Sequence, residues 1–70
     1  MTFAVTQGMR LRGRGRELRV VAVIDDGGQT VILYAWRYAR PGKANRRWRH
    51  VACHPAGFRR RFSHWERIRS

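Results

Sequence analysis

Residues 17–38 decide the fold, and they read ELRVVAVIDDGGQTVILYAWRY. The run Glu17–Ile24 is apolar, rich in β-branched residues and free of proline, which is typical of a strand. The segment Asp25–Gly28 contains an Asp-Gly turn signal, because glycine adopts positive φ freely. A second apolar run, Thr30–Tyr38, follows almost directly. The stretch therefore predicts two antiparallel strands joined by a tight hairpin.

Both strands of this hairpin carry apolar residues on both faces. In the outgoing strand, period-two alternation predicts one face made of Leu18, Val20, Ala22 and Ile24. In the return strand, it predicts one face made of Ile32, Tyr34, Trp36 and Tyr38. Val21 and Val23 make the second face of the outgoing strand apolar as well. Such a strand is usually central or strongly curved.

Further strands are predicted on both sides of the hairpin. Residues 10–16, RLRGRGR, alternate arginine with leucine or glycine, which favours a short strand leading into a mobile basic loop. Residues 39–45 contain Pro-Gly and are predicted to form a loop. Residues 46–53 predict a third strand of the central sheet, with Trp48 and Val51 as its apolar anchors.

The C-terminal region has a different periodicity. Phe58 and Phe62 are spaced i,i+4, so they lie on one side of a short helical segment, with Arg59–Arg61 on the other side. Residues 63–69 are compatible with a short closing strand. Four or five short strands in meander order, with one helical turn before the last, predict a single domain over residues 1–70, built as a small barrel or sandwich.

A sparse pattern of glycine, bulky and phenylalanine positions runs through about residues 8 to 68. Its positions are Gly8, Leu11, Gly15, Val20 to Ile24, Val31 to Tyr34, Phe58 and Phe62. The order of elements resembles small SH3-like barrels, and the pattern resembles a group of short, uncharacterised bacteriophage proteins. The resemblance implies a phage or prophage accessory protein with a mainly β, SH3-like barrel of four or five antiparallel strands and one short helical turn near the C-terminus. It implies no activity, because such barrels bind both nucleic acid and protein.

The charge of the chain is extreme for its length. Sixteen Lys and Arg residues face four Asp and Glu residues, giving a formal net charge of +12 over 70 residues, and Lys43 is the one lysine. Arginine presents a planar, permanently charged fork that suits phosphate and carboxylate groups. We therefore expect a polyanionic or acidic partner. The alternative explanation is a solubility device or the arginine bias of a GC-rich genome.

The basic residues fall into three clusters along the chain. The residues predicted to bind nucleic acid or an acidic partner are Arg12, Arg14 and Arg16, then Arg40, Lys43, Arg46, Arg47 and Arg49, then Arg59, Arg60 and Arg61. Tyr38 and Trp48 are candidates for stacking on bases. Trp36 and Trp65 are more typical of core residues, and Arg59–Arg61 could equally form a solvated face.

The sequence offers little for catalysis or metal binding. Cys53 is the single cysteine, so no internal disulfide forms, and the neighbouring His54 points to the other side of a strand. His50 and His54 have a zinc-like spacing, but no cysteine pair accompanies them. We expect no catalytic residue, no metal and no cofactor, and hence a non-enzymatic protein.

The function predicted from these features is binding of DNA or RNA through arginine–phosphate contacts with weak sequence specificity. The alternative is a phage-encoded, protein-binding inhibitor of a host defence, of the anti-CRISPR kind, or of a host transcription complex. A ribosome-associated basic protein and a homodimer also remain open. The apolar runs are too short to span a membrane, and the first seven residues lack the features of a signal peptide, so the expected compartment is the cytoplasm, that of the host cell for a phage protein.

Overall fold

The structure, a computed structural model, describes residues 4–39 and 47–68. Five antiparallel strands form one sheet in the order β4-β3-β2-β1-β5, with one short helix near the C-terminus. The elements are β1 (Arg10–Gly13), β2 (Arg16–Asp26), β3 (Gln29–Tyr38), β4 (Arg49–Cys53), α1 (Pro55–Phe62) and β5 (Glu66–Ile68). The predicted mainly β fold, with its short helix ahead of the last strand, is confirmed.

The last strand departs from the predicted meander order. β5 pairs with β1, at Arg12↔Glu66 and Arg10↔Ile68, and not with the strand that precedes it in the chain. The helix α1 makes this possible, because it carries the chain across one face of the sheet, from the β4 edge to the β1 edge. β4 is also shorter than the predicted strand over residues 46–53, since Arg47 and Trp48 lie ahead of it.

Both hairpins of β2 use two-residue turns. Gly27 and Gly28 have φ of 59° and 87°, the positive values that a type I′ turn requires, and Asp26 pairs with Gln29 across them. The hairpin predicted at Asp25–Gly28 is confirmed. Between β1 and β2 the same geometry is built from Arg14 (φ 50°) and Gly15 (φ 71°). A tight turn therefore stands where the sequence predicted a mobile basic loop.

A bulge in β2 overturns the predicted faces of that strand. Val20 pairs with Tyr34 but Ala22 pairs with Leu33, so Val21 is an extra residue in the ladder. An extra residue shifts the alternation by one, and everything after it changes face. Ala22 and Ile24 therefore do not share a face with Leu18 and Val20, and Ile24 is 45% exposed. Simple alternation cannot detect this shift, because residues 20–24 are all apolar.

The core lies between the concave face of the sheet and α1. Its buried members are Met9, Leu11, Leu18, Val20, Ile32, Tyr34, Phe58 and Phe62. The ring of Tyr34 meets Phe58 and Phe62 edge-on, at centroid distances of 5.4 and 5.3 Å. This confirms the predicted inward orientation of the phenylalanine pair, and it fixes α1 to the centre of β3. We call this side of the sheet the helix face and the other side the outer face.

Candidate functional site

An open groove of about 610 Å³ runs between α1 and the sheet. Its lining is Arg14, Arg16, Tyr34, Trp36, Val51, Arg60, Arg61, Phe62, His64 and Trp65. Four of these side chains are permanently charged guanidinium groups, and none is acidic. The groove therefore combines an apolar, aromatic floor with cationic walls.

The fold brings together arginines from two distant parts of the sequence. Arg14 stands in the turn between β1 and β2, and Arg16 begins β2 on the helix face, opposite Gly13. Arg60 and Arg61 belong to the last turn of α1, which the phenylalanine pair presses against the sheet. The first and third predicted clusters thus meet at one groove, although more than 40 residues separate them in the chain.

Arg49, from the second cluster, adjoins the groove through two aromatic rings. It lies directly opposite Trp36 in the β3–β4 ladder, and its guanidinium carbon is 4.9 Å from the Trp36 ring centroid and 5.6 Å from that of Tyr38. Arg16 approaches the same two rings at 4.8 and 5.6 Å. The two rings meet edge-to-face at 5.5 Å. These four side chains form an interleaved cation–π cluster at the groove.

Arg61 reaches the buried end of the groove. The positive charge of its guanidinium group and a hydrogen bond to the Tyr34 hydroxyl both stabilise the phenolate and so lower the pKa of Tyr34. Burial outweighs this and, with the nearby Cys53, raises the pKa of Tyr34. Burial likewise raises the pKa of the Cys53 thiol, again against the opposing effect of Arg61. Both groups are thus neutral at physiological pH, and the cation beside them keeps its charge uncompensated.

All four acidic residues lie outside the groove lining. Glu17 is on the outer face of β2, where it forms an ion pair with Arg37. Asp25 and Asp26 end the β2–β3 hairpin, and Asp25 accepts a hydrogen bond from the Thr30 hydroxyl at 2.8 Å. Glu66 is in β5, opposite Arg12. The groove is therefore free of acidic side chains, whereas arginines lie on both faces of the sheet, with Arg10, Arg12 and Arg19 on the outer one.

Trp65 lines the groove, and its position depends on Gly13. The indole lies so close to β1 that a Cβ at Gly13 would be 2.7 Å from Trp65 Cγ. Phe62 contacts the same ring edge-to-face at 4.9 Å. Glycine is needed at this position for close approach, not for an unusual φ.

The remaining predicted residues are not in the groove. Arg12 lies on the outer face, opposite Glu17, and Arg47 is exposed ahead of β4. Arg59 is half-buried on α1 and is absent from the groove lining. Arg40, Lys43 and Arg46 lie outside the residues that the structure describes.

The two residues predicted to stack on bases, Tyr38 and Trp48, lie on opposite faces of the sheet. Tyr38 belongs to the cation–π cluster at the groove. Trp48 instead lies with Arg19 and Arg37, whose guanidinium carbons are 4.6 and 4.4 Å from its ring centroid. Glu17, Arg19 and Arg37 share the outer face of β2 and β3, so Trp48 marks the side of the sheet away from the groove.

The residues predicted as a binding site include four of the ten that line the groove, and the other six are Tyr34, Trp36, Val51, Phe62, His64 and Trp65. Trp36 and Trp65 were assigned to the core, and they do pack against it, but both also line the groove. The alternation of β3 places Trp36 on the face of Tyr34 and Tyr38, which was the available signal. Nothing local to the sequence identifies Trp65, because its position depends on the pairing of β5 with β1.

The described residues gather no cluster of metal-binding side chains. Within residues 4–39 and 47–68, no three His, Cys, Asp or Glu side chains are gathered where they could hold a metal ion. The ladder places Cys53 on the helix face, opposite Ile32, and His50 on the outer face, opposite Ala35.

No helix in the described part of the chain is long and apolar enough to cross a membrane. The chain matches no protein-family model, no curated protein and no solved structure.

Proposed function

We propose that this protein binds nucleic acid through the groove and does so without catalysing a reaction. The observation that carries the proposal is the convergence of Arg14, Arg16, Arg60 and Arg61 on one groove that has no acidic lining residue. Guanidinium groups suit phosphate oxygens through bidentate, charge-assisted hydrogen bonds. Such contacts give sequence-independent affinity by releasing counterions from the nucleic acid.

The backbone at Arg14 supports this assignment. Its φ of 50° lies in the left-handed region, which costs a non-glycine residue about 1–2 kcal/mol. Asparagine, aspartate or glycine would form the same turn with less strain. An arginine at this position sacrifices folding stability, and strain of this kind is characteristic of functional positions. Arg14 also lines the groove, so strain and charge point to the same site.

The chemistry of the groove favours binding over catalysis. The one thiol nearby, Cys53, has a raised pKa, whereas a nucleophilic cysteine needs a lowered one. Guanidinium groups donate hydrogen bonds, accept none and serve poorly as general bases. Binding, with arginines as phosphate ligands, is the activity that these groups support.

The salt dependence of binding tests the proposal. A fluorescein-labelled oligonucleotide is titrated with protein at several salt concentrations, and log K is plotted against log salt. Four phosphate contacts predict a slope of about −2.8 for a single strand and about −3.6 for duplex DNA. The absence of binding to DNA and RNA at low salt would refute the proposal.

Charge reversal locates the binding surface. Arg60→Glu should weaken binding strongly and leave the fold intact, because Arg60 is exposed on α1. Arg47→Glu is the matched control, since it makes the same change in net charge at an exposed position outside the groove lining. Equal weakening by the two substitutions would indicate general attraction without a specific site.

The alternative partner is an acidic protein, whose carboxylates would also fit guanidinium groups. A pull-down from bacterial lysate treated with nuclease distinguishes the two. Retention of a stoichiometric protein partner that Arg60→Glu abolishes and Arg47→Glu preserves would favour the protein-binding function. Loss of all partners after nuclease treatment favours nucleic acid.

A further inference from the structure

We propose that the groove selects single-stranded over double-stranded nucleic acid, an inference that rests on the proposed function. Its basis is the position of the aromatic rings. Trp36 and Trp65 line the groove beside the arginines and do not project from the surface. A phosphate backbone and an unpaired base can enter such a site together. The bases of a duplex are stacked and paired inside the helix, and cannot reach recessed rings.

The dimensions of the groove agree with this selection. Its volume of about 610 Å³ is that of a small-ligand site. Duplex DNA is instead read by an element that protrudes into a groove, and its major groove is about 12 Å wide. A concave cationic site between a helix and a sheet offers a duplex only its rim. It offers a single strand both walls and the floor.

The end of the β2–β3 hairpin is unsuited to duplex DNA. β1 pairs with β2 only as far as Arg19, and β4 pairs with β3 only from Ile32 onward, so the end of the β2–β3 hairpin has no third strand beside it. This end carries Asp25 and Asp26, both exposed. Two carboxylates at the tip would be repelled by the phosphates that flank either DNA groove. The cations of α1 that line the binding site, Arg60 and Arg61, face the recess.

The cation–π cluster gives an unpaired base a place to stack. Arg16 and Arg49 lie against the rings of Trp36 and Tyr38, which holds their guanidinium groups at the groove without a carboxylate partner. The two arginines come from the strands on either side of β3 and cover the Trp36 ring, so a base stacks on the guanidinium planes that the rings support, a contact known from single-strand sites. Every base has a π face, so this contact carries little sequence preference. Weak specificity and strand selectivity therefore have the same origin.

A direct comparison of ligands tests the inference on the unaltered protein. Fluorescence anisotropy is measured with labelled oligothymidylate and oligouridylate of about eight nucleotides, within the usual range of single-strand sites. The same measurement uses a blunt duplex of equal phosphate number. We expect either single strand to bind about tenfold or more tightly than the duplex at equal salt, given the stacking energies of bases on rings.

The possible failures are distinguishable. A duplex that binds as tightly as the single strands would overturn the strand selectivity and leave the proposed function standing. No binding of any of the three ligands would overturn both. A preference between DNA and RNA single strands supports the inference and identifies the source of the strand, because the site chemistry is common to the two.

A pair of tryptophan substitutions assigns the stacking contact. Trp36→Leu removes the ring at the groove, and Trp48→Leu makes the same change on the outer face. We expect Trp36→Leu to weaken single-strand binding at least about fivefold and duplex binding little, whereas Trp48→Leu changes neither. Circular dichroism melts check that both variants fold. If Trp36→Leu does not fold, quenching of tryptophan fluorescence by oligothymidylate in the Trp48→Leu protein replaces it, and a lack of quenching there contradicts the inference.

Discussion

Replacing Arg14 with asparagine separates the demands of folding from those of binding. Arg14 and Gly15 form the two-residue turn between β1 and β2, both with positive φ. Arg14→Asn creates the Asn-Gly pair that this turn type favours most strongly. The same substitution removes one of the four arginines that line the groove. We expect a more stable protein that binds nucleic acid less well.

The magnitude follows from the backbone geometry. Relief of the left-handed conformation should add about 1 kcal/mol to the free energy of unfolding, which raises the Tm of a domain this small by about 4–8 °C. Loss of one phosphate contact should reduce the steepness of the log K against log salt plot by about 0.7 for a single strand. Arginine at this position therefore lowers the free energy of unfolding but raises the affinity for nucleic acid, which explains its presence where asparagine would fold better.

Two control variants isolate the causes. Arg14→Lys keeps the charge and the strain, so its stability should equal that of the unaltered protein. Arg47→Gln removes one exposed charge outside the groove lining, and so measures the gain from reduced self-repulsion in a chain of net charge +12. Stability comes from urea unfolding, and binding comes from anisotropy. If Arg14→Asn is no more stable than Arg47→Gln, the strain argument is wrong, and if its salt slope is unchanged, Arg14 is not a phosphate ligand.

Three further predictions concern the fold around the groove. Gly13→Ala should destabilise the protein by about 1–3 kcal/mol, because the new Cβ would overlap the indole ring of Trp65. Gly57→Ala is the control in α1, where the new Cβ would contact no neighbouring atom, and it should stabilise the protein by up to about 1 kcal/mol. Urea unfolding measures both effects. Phe62→Ala should cost about 3 kcal/mol or more in the same assay, since its ring is buried among other aromatic side chains, and a cost below about 1 kcal/mol would contradict that packing. Because the pKa values of Cys53 and Tyr34 are raised in the folded protein, both groups ionise at lower pH in the unfolded chain. Their contribution to the free energy of unfolding is therefore fully present below about pH 8.5 and decreases as the pH rises above it. The Cys53→Ser substitution should shift the onset of this loss to about pH 10, where tyrosine ionises in the unfolded chain. Thermal melts at increasing pH measure the onset, and an unchanged onset would assign the loss to other groups.

The hairpin and the helix were predictable because their signals are local. The Asp-Gly turn at residues 25–28 and the i,i+4 spacing of Phe58 and Phe62 each need only a few neighbouring residues. The bulge at Val21 was not predictable, because all the residues around it are apolar and alternation carries no information there. The residue set of the groove was predictable only in part. The arginine content predicts a cationic surface, but it does not predict which arginines are neighbours in space. That depends on the pairing of β5 with β1, a contact between residues more than 50 positions apart.

The partners of the groove arginines explain how so much positive charge is kept available. A carboxylate partner would occupy the N–H donors of a guanidinium group, as Glu17 does for Arg37 on the outer face. With four acidic residues in the chain, most arginines have no such partner to take. Arg16 and Arg49 are held instead by the rings of Trp36 and Tyr38, which attract the cation through the ring face and accept no conventional hydrogen bond. Aromatic support therefore orders the cations and leaves their donors for an anion, which is why the aromatic residues and the arginines of this protein have to be interpreted as one site.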